Sequence, residues 1–360
     1  MTAPALIAEP SLRERIRAYV EPRAAEVDAN RASVRDGLAF VGGLGLSALG
    51  VDGCERPADL ERAVEAIGTI AQYDVSQAFA FWCHRMGVEY LHQAPPGTTL
   101  RDHLLPRVLA GEVAGSTSFA GAMAHYLGGA PMPLTFRRDG PDLLVSGRIA
   151  WASNLEAPFV SVSAAANADD PSDRVVFAYT ESTAGVAIAD YPPLLALQAT
   201  ASSSPLFTEA RITPRYAITK DFEGFARTIF PVFILLQSAF CWGLASRSLA
   251  EAGSRLTGQA AVVQPEYEAL RARFTAAEAR MREAARSADR ARLPVRDLLE
   301  LRLDLGTLCV SAVALEAKVS GGRGYMSSSD TARRLREAAF LPVQSPTEIQ
   351  LRWLLSRSAS

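Results

Sequence analysis

The 360-residue sequence is poor in cysteine, in lysine and in net charge. Its four cysteines, Cys54, Cys83, Cys241 and Cys309, are scattered, with no C-x-x-C pair. That spacing excludes a zinc knuckle and a redox dithiol, and it fits a reducing cytoplasm. The 37 basic residues nearly balance the 39 acidic ones, and the net charge is −2. Such a balance offers no electrostatic footprint for nucleic acid. Only Lys220 and Lys318 are lysine; every other basic residue is arginine, as codon bias would give. There is no H-E-x-x-H metal motif, no nucleophile elbow, no phosphate-loop lysine and no pair of carboxylates at a usable spacing. No repeat or low-complexity segment interrupts the chain. The first residues carry Glu9 and no long apolar run, so a signal peptide is not expected. One stretch, residues 229–246, approaches membrane length. Pro231, Gln237 and Ser238 lie within it, and a buried core helix is expected there rather than a membrane span.

What is present is globular: 49% apolar and 21% charged residues. At roughly 150 residues per domain the length allows two or three. Residues 11–107 read mostly as helix. Ser11-Leu-Arg-Glu14 is a capping-box pattern, residues 59–73 repeat apolar side chains at helical spacing, and Asp74 caps an aromatic-rich run ending at His84. From Ala114 to about Arg215 the texture changes to glycine, proline, serine and β-branched residues in short alternating runs. Turns such as Asp139-Gly140-Pro141 punctuate them, which predicts a small β domain. Helical spacing returns from Asp221, with long helices expected over 267–292 and 298–319.

Three motifs bear on chemistry. Gly43-Leu-Gly45-Leu-Ser-Ala48 formally fits a dinucleotide turn, but a helical segment precedes it and no βαβ unit surrounds it, so it reads as a loop between helices. Gly321-Gly322-Arg323-Gly324 follows a long helix. One glycine suffices for a C-cap; three favour close backbone approach to a ligand. Trp151 and Ser153 end a β hairpin, either as core residues or as a flat aromatic and a hydroxyl against a flat cofactor. His84, on an aromatic helix, is by its surroundings more a core histidine than a catalyst.

Taken in order, these segments resemble the acyl-CoA dehydrogenase superfamily along nearly the whole chain. Gly45-Leu-Ser-Ala-Leu-Gly-Val-Asp-Gly53 is similar to its early glycine-rich loop, and Asp74 to His84 to its "D-x-S … H" helix. Residues 143–154 resemble its "v-x-G-x-K-x-W-I-T-N" hairpin, and residues 243–252 the start of its second bundle helix. Ser320-Gly-Gly-Arg-Gly-Tyr-Met326, Arg333, Arg336 and Thr347-Glu-Ile-Gln350 resemble its C-terminal signature. The resemblance implies a mostly α, α+β chain: an N-terminal helical domain (1–113), a middle β domain (114–218) and a C-terminal four-helix bundle (219–360). It implies FAD between the β domain and the bundle, and a homodimer or homotetramer, with a hetero-oligomer as an alternative. The electron acceptor stays open.

Carried over position by position, Trp151 and Ser153 would face the flavin ring, and Thr117 or Ser118 would lie near it. Gly321 and Gly322 would approach the ADP part of FAD, usually on a neighbouring subunit. Glu348 matches a position near the cofactor. Arg255 stands near the family's pyrophosphate arginine, in a motif that is altered here. Lys318 lies three residues before Gly321 and is expected to be a phosphate donor that makes up for it. Phe79, Phe81, Trp82, Phe230 and Phe233 would line an apolar substrate pocket.

The departures bear on function. The family's usual catalytic glutamate falls on Gln344, and an amide cannot act as a general base near neutral pH. The alternative base position, on a bundle helix, falls on Phe233 or Ile234. Three expectations follow. The first is an acyl-thioester (CoA or carrier-protein) dehydrogenase with a relocated base. The second is a flavin-dependent monooxygenase, using FAD or FMN and a C4a-(hydro)peroxide to which His84 could hydrogen-bond. The third is a catalytically silent partner subunit.

Overall fold

The computed structural model describes residues 11–51, 59–287 and 289–357. Cys54 and the end of the Gly45–Gly53 loop lie outside the described residues. The N-terminal helices are α1 (Leu12–Val20), α2 (Ala24–Asp28), α3 (Arg35–Gly43), α4 (Asp59–Ala71), α5 (Val75–His92) and α6 (Leu105–Leu109). Ser11 closes both halves of the capping box on α1. Asp74 caps α5 by accepting from the Gln77 N–H.

Residues 114–219 hold β1 (Ala114–Thr117), α7 (Ala120–Tyr126), β2 (Leu134–Asp139), β3 (Asp142–Arg148), β4 (Phe159–Asn167), β5 (Arg174–Thr180), β6 (Val186–Ile188), β7 (Pro205–Ile212) and β8 (Ala217–Thr219). The strands form one mixed sheet in the order β6-β7-β3-β2-β4-β5-β8, with β1 parallel to β4. Gly140 takes the left-handed conformation (φ +59°) that the tight β2–β3 turn requires.

The C-terminal helices are α8 (Phe222–Gly253), α9 (Gln264–Ala285), α10 (Val295–Gly324), α11 (Asp330–Phe340) and α12 (Glu348–Arg357). α8 is the apolar helix of membrane length, and 94% of its apolar window is buried inside the protein. It packs along α10 and against α4. α9 ends at Ala285, short of the expected Arg292; a separate turn at Arg290–Arg292 leads to Pro294, the extended N-cap residue of α10. α10 kinks at Gly321 (φ 57°, ψ −149°), a backbone region open essentially to glycine alone. Conformation accounts for Gly321 there.

Candidate functional site

The site is assembled where α5 lies on β1. A Cβ at Gly115 would come 2.5 Å from the His84 carbonyl oxygen, and one at Gly87 would come 2.6 Å from Gly115 Cα. The two backbones meet only because both positions lack a side chain. Asn154, left-handed at φ 61°, donates through Nδ2 to the carbonyls of Ala80 (2.8 Å) and Gly115 (3.0 Å). It thereby ties the segment after β3 to both elements. Ser116 Oγ donates to the Ser153 carbonyl at 2.6 Å. Ser153 Oγ meets Ser202 Oγ at 2.6 Å, and Ser202 Oγ meets Thr200 Oγ1 at 2.7 Å. These bonds fix the orientation of the Trp151–Ser153 segment.

Between this segment and the helices lies a cavity of about 420 Å³. Thr117, Trp151, Ser153 and Ser202 form its β-side wall, and Phe79, Trp82, Phe233 and Phe340 the helical wall. Trp82 stacks on Phe79 at 5.5 Å, meets Phe233 edge-on at 5.1 Å, and donates its indole N–H to the Phe233 carbonyl. Trp151 is 55% exposed and stands at the rim. Residues 194–197 complete the wall from a loop in which Leu197 and Ala201 both adopt positive φ, 61° and 46°. Such strain in non-glycine residues is concentrated at functional sites. Gln344 and Ser345 contribute from the segment before α12.

The wall carries little charge. Its ionisable members are Cys83 and Arg336. Burial pushes the Cys83 thiol well above its ordinary range, so it stays protonated. Arg336 is ion-paired with Asp28. No Asp or Glu among the described residues lines the cavity.

Thr117, Ser153, Trp151, Trp82, Phe233 and Gln344 thus converge on one cavity, as a shared site requires. The other expected residues do not. His84 is fully buried off the cavity wall; its Nδ1 accepts the Gly115 N–H at 3.0 Å. Burial, reinforced by the nearby Arg35 guanidinium, lowers its pKa to about 3. It packs in neutral form under β1, its Nε2 has no hydrogen-bond partner among the described residues, and it does not line the cavity where a peroxide-bonding histidine was expected. Ser118 is turned into the sheet, bonded to Ser161 Oγ and Tyr179 OH. Phe81 lies beside Tyr19 and Phe40, away from the cavity. Phe230, one turn from Phe233, faces Tyr126. Glu348 opens α12 and pairs with Arg352.

The expected phosphate ligands are engaged elsewhere. Arg255 pairs with Glu251 at 2.6 Å, and Lys318 with Glu266 at 2.7 Å, both at the surface. Among the described residues no atom stands within 4 Å of where a Cβ would be at Gly321 or Gly322. A second groove of about 240 Å³ shares Ala120 and Ser345 with the cavity and is lined by Met123, Leu127, Pro346, Ile349 and Trp353, with no charged side chain among the described residues.

Phe340, Arg336, Ser202 and the 194–197 loop were not expected. Arg336 and Phe340 are one helical turn apart on α11, which a helical reading of 330–340 could have paired. The loop has no comparable signal.

Behind the helical wall, Glu337 is fully buried and accepts from the Val75 N–H (3.2 Å) and from Arg333 (3.2 Å). Burial, opposed by Arg333 and helped by Asp74, pushes its pKa up to about 7. The folded protein therefore holds this proton above pH 4.5, the ordinary value, where the unfolded chain has released it. The stabilisation is complete below about 4.5 and lost as pH rises through about 7. Urea-unfolding midpoints measured from pH 5 to 8 should fall less steeply in Glu337→Gln than in the parent; identical slopes would refute the assignment.

No protein-family model and no curated protein matches the sequence. Solved structures do match over nearly the full chain. A glutaryl-CoA dehydrogenase in complex with glutaryl-CoA is 16% identical, with a TM-score of 0.85, covering 96% of this chain and 92% of its own. Butyryl-CoA dehydrogenase from Megasphaera elsdenii is 13% identical, with a TM-score of 0.84 and coverages of 97% and 96%. The flavoprotein nitroalkane oxidase is 16% identical, with a TM-score of 0.82 and coverages of 99% and 96%. The chain therefore has the acyl-CoA dehydrogenase fold.

Proposed function

We propose that the protein is a flavin-dependent oxidoreductase acting on an apolar, acyl- or aryl-type substrate. The observation that carries this is the cavity itself. It places a rim indole and two hydroxyl-bearing residues, Thr117 and Ser153, opposite an aromatic wall, in a fold shared with flavoproteins. The flat Trp151 and the Ser153 hydroxyl suit a flavin ring. A bound flavin would supply two-electron redox chemistry that no side chain here provides. Trp151, Thr117 and Ser153 would hold the ring, and Phe79, Trp82 and Phe233 would exclude water beside it. The residues fit the ring portion of the cofactor. The two cations carried over for its diphosphate portion in the FAD form, Arg255 and Lys318, are paired with Glu251 and Glu266 of the same chain, which favours a contribution from a second subunit through the outward-facing Gly321–Gly322 turn.

The first expectation, an acyl-thioester dehydrogenase, needs a base for the α-proton. The cavity wall offers Gln344 and a protonated Cys83, and no carboxylate among the described residues. That favours, as a second reading, oxygen-using chemistry of the same fold, which needs no such base.

The test begins with the purified protein. It should be yellow or take up flavin, and acid release identifies FAD or FMN. Trp151→Leu should weaken flavin binding roughly tenfold through lost ring contact. Anaerobic bleaching by an acyl-CoA supports the dehydrogenase; transfer of an oxygen atom from labelled O₂ into an added apolar substrate, seen only with supplied reduced flavin and with the protein present, supports the second reading. A folded protein that binds neither FAD nor FMN, alone or as an oligomer, overturns the proposal.

A further inference from the structure

We propose that Gln344 is a hydrogen-bond donor into the cavity, polarised by the buried Arg302, and that the ligand presents a carbonyl-type oxygen to it. This deepens the cavity reading above and rests on it.

Arg302, on α10, is 2% exposed. Its Nη2 donates to Gln344 Oε1 at 3.0 Å and to the Leu341 carbonyl at 3.2 Å, and its Nε has no hydrogen-bond partner among the described residues. No carboxylate among the described residues forms an ion pair with it. A guanidinium buried without a counter-charge is costly and is rarely kept without a role. The chain makes room for it: a Cβ at Gly306, one helical turn on, would stand 2.7 Å from Arg302 Nη1.

Arginine has only donors, so the atom of Gln344 facing it must be the amide oxygen. That orientation fixes the rest of the side chain. Among the described residues Nε2 has no hydrogen-bond partner, and Gln344 lines the cavity. The backbone N–H of Gln344 is anchored on the Phe340 carbonyl at 3.0 Å. Next to it, Gln237 Nε2 holds the Ser345 carbonyl at 2.9 Å. The amide N–H groups are thus presented to a ligand by a rigid segment. The positive charge behind Oε1 polarises the amide and strengthens donation at the other end. An acceptor oxygen facing Gln344 is stabilised, increasingly so as it gains negative charge. Beside the apolar helical wall of Phe79, Trp82, Phe233 and Phe340, this donor selects ketones, thioesters and related carbonyl compounds over hydrocarbons of the same shape. The position that resembles the family's base would then act as an electrophilic group, with Arg302 as its positioning residue.

Two probes on the purified holoprotein separate this reading from the cavity reading beneath it. 2-Ethylnaphthalene tests the cavity alone, and 2-acetylnaphthalene adds the carbonyl. Isotope-edited infrared spectra should show the bound ketone stretch below its value in hexane. Gln344→Leu should return the stretch to the hexane value and weaken the ketone roughly 3- to 10-fold, leaving the hydrocarbon unchanged. Arg302→Met, with the hydrocarbon still bound, should leave a smaller downshift than the parent. Gln344→Glu should pair with Arg302, turn an acceptor toward the cavity, and weaken the ketone selectively. An unshifted stretch in the parent, or one equally shifted in Gln344→Leu, overturns the proposal. If the hydrocarbon also fails to bind, the cavity reading itself falls.

Discussion

Glu89→Leu will destabilise the protein by about 3–5 kcal/mol, the cost of leaving a buried charge without its partner. Arg85 and Glu89 face each other one turn apart on α5, at 2.8 Å, with side chains 0% and 1% exposed. Arg85 Nε also donates to the Leu49 carbonyl, while Nη2 and Glu89 Oε1 have no hydrogen-bond partner among the described residues. The pair is incompletely satisfied even when intact. It is therefore not a large net source of stability, but neither member tolerates the loss of the other. Arg85→Leu combined with Glu89→Leu should recover much of the loss, because neither charge then needs solvation. Urea unfolding of the two single variants and the double variant tests this. Single variants within 1 kcal/mol of the parent would show that water reaches the pair.

The second large effect is expected at the crossing of α4 and α8. A Cβ at Gly243 would stand 2.1 Å from the Gly68 carbonyl oxygen and 2.8 Å from Ala71 Cβ. One at Gly68 would run into the Trp242 ring at 2.2 Å. That ring is held on another side by Arg282, 4.9 Å from its centroid, which is itself paired with Glu65 and Glu278. The obstruction at Gly243 is backbone, so the helices must separate. Gly243→Val should cost about 3 kcal/mol or more, the upper end for overpacking, and Gly243→Ala less. Because α8 also carries Phe233, the same variant should loosen the cavity. Unfolding midpoints, together with 2-ethylnaphthalene affinity, provide the check. A Gly243→Val protein of parental stability would show that the crossing relaxes without strain.

These two sites mark where a reading of the sequence stopped. The caps at Ser11 and Asp74, the turn at Asp139-Gly140 and the alternation along β3 to β5 are local patterns, and each places an element. The close helix crossing was not legible, since glycine within a helix says nothing of what approaches it. α5 was legible as a helix but not in orientation. Its residues 75–91 are buried all round, so no polar face tells which aromatic meets the cavity. Phe79 and Trp82 do; Phe81 and His84 point elsewhere. At Gln344 the missing carboxylate was plain. The guanidinium behind it was not, because Arg302 lies 42 residues away and only the fold of α10 against the 341–345 turn joins them. Long-range partners of this kind leave no periodic trace in a single sequence.

The cavity draws its walls from residues 79–83, 117–120, 151–153, 194–202, 233 and 336–345. No one segment can release a bound ligand's full set of contacts while the others hold them. Occupancy therefore acts as thermodynamic linkage between helices and sheet: a ligand at a hundred times its Kd adds roughly 2.7 kcal/mol to the unfolding free energy of the whole. Local opening of the helical ends or of the sheet becomes correspondingly rarer. The loaded protein should lose its structure in a single step, where the empty one has separate parts to let go.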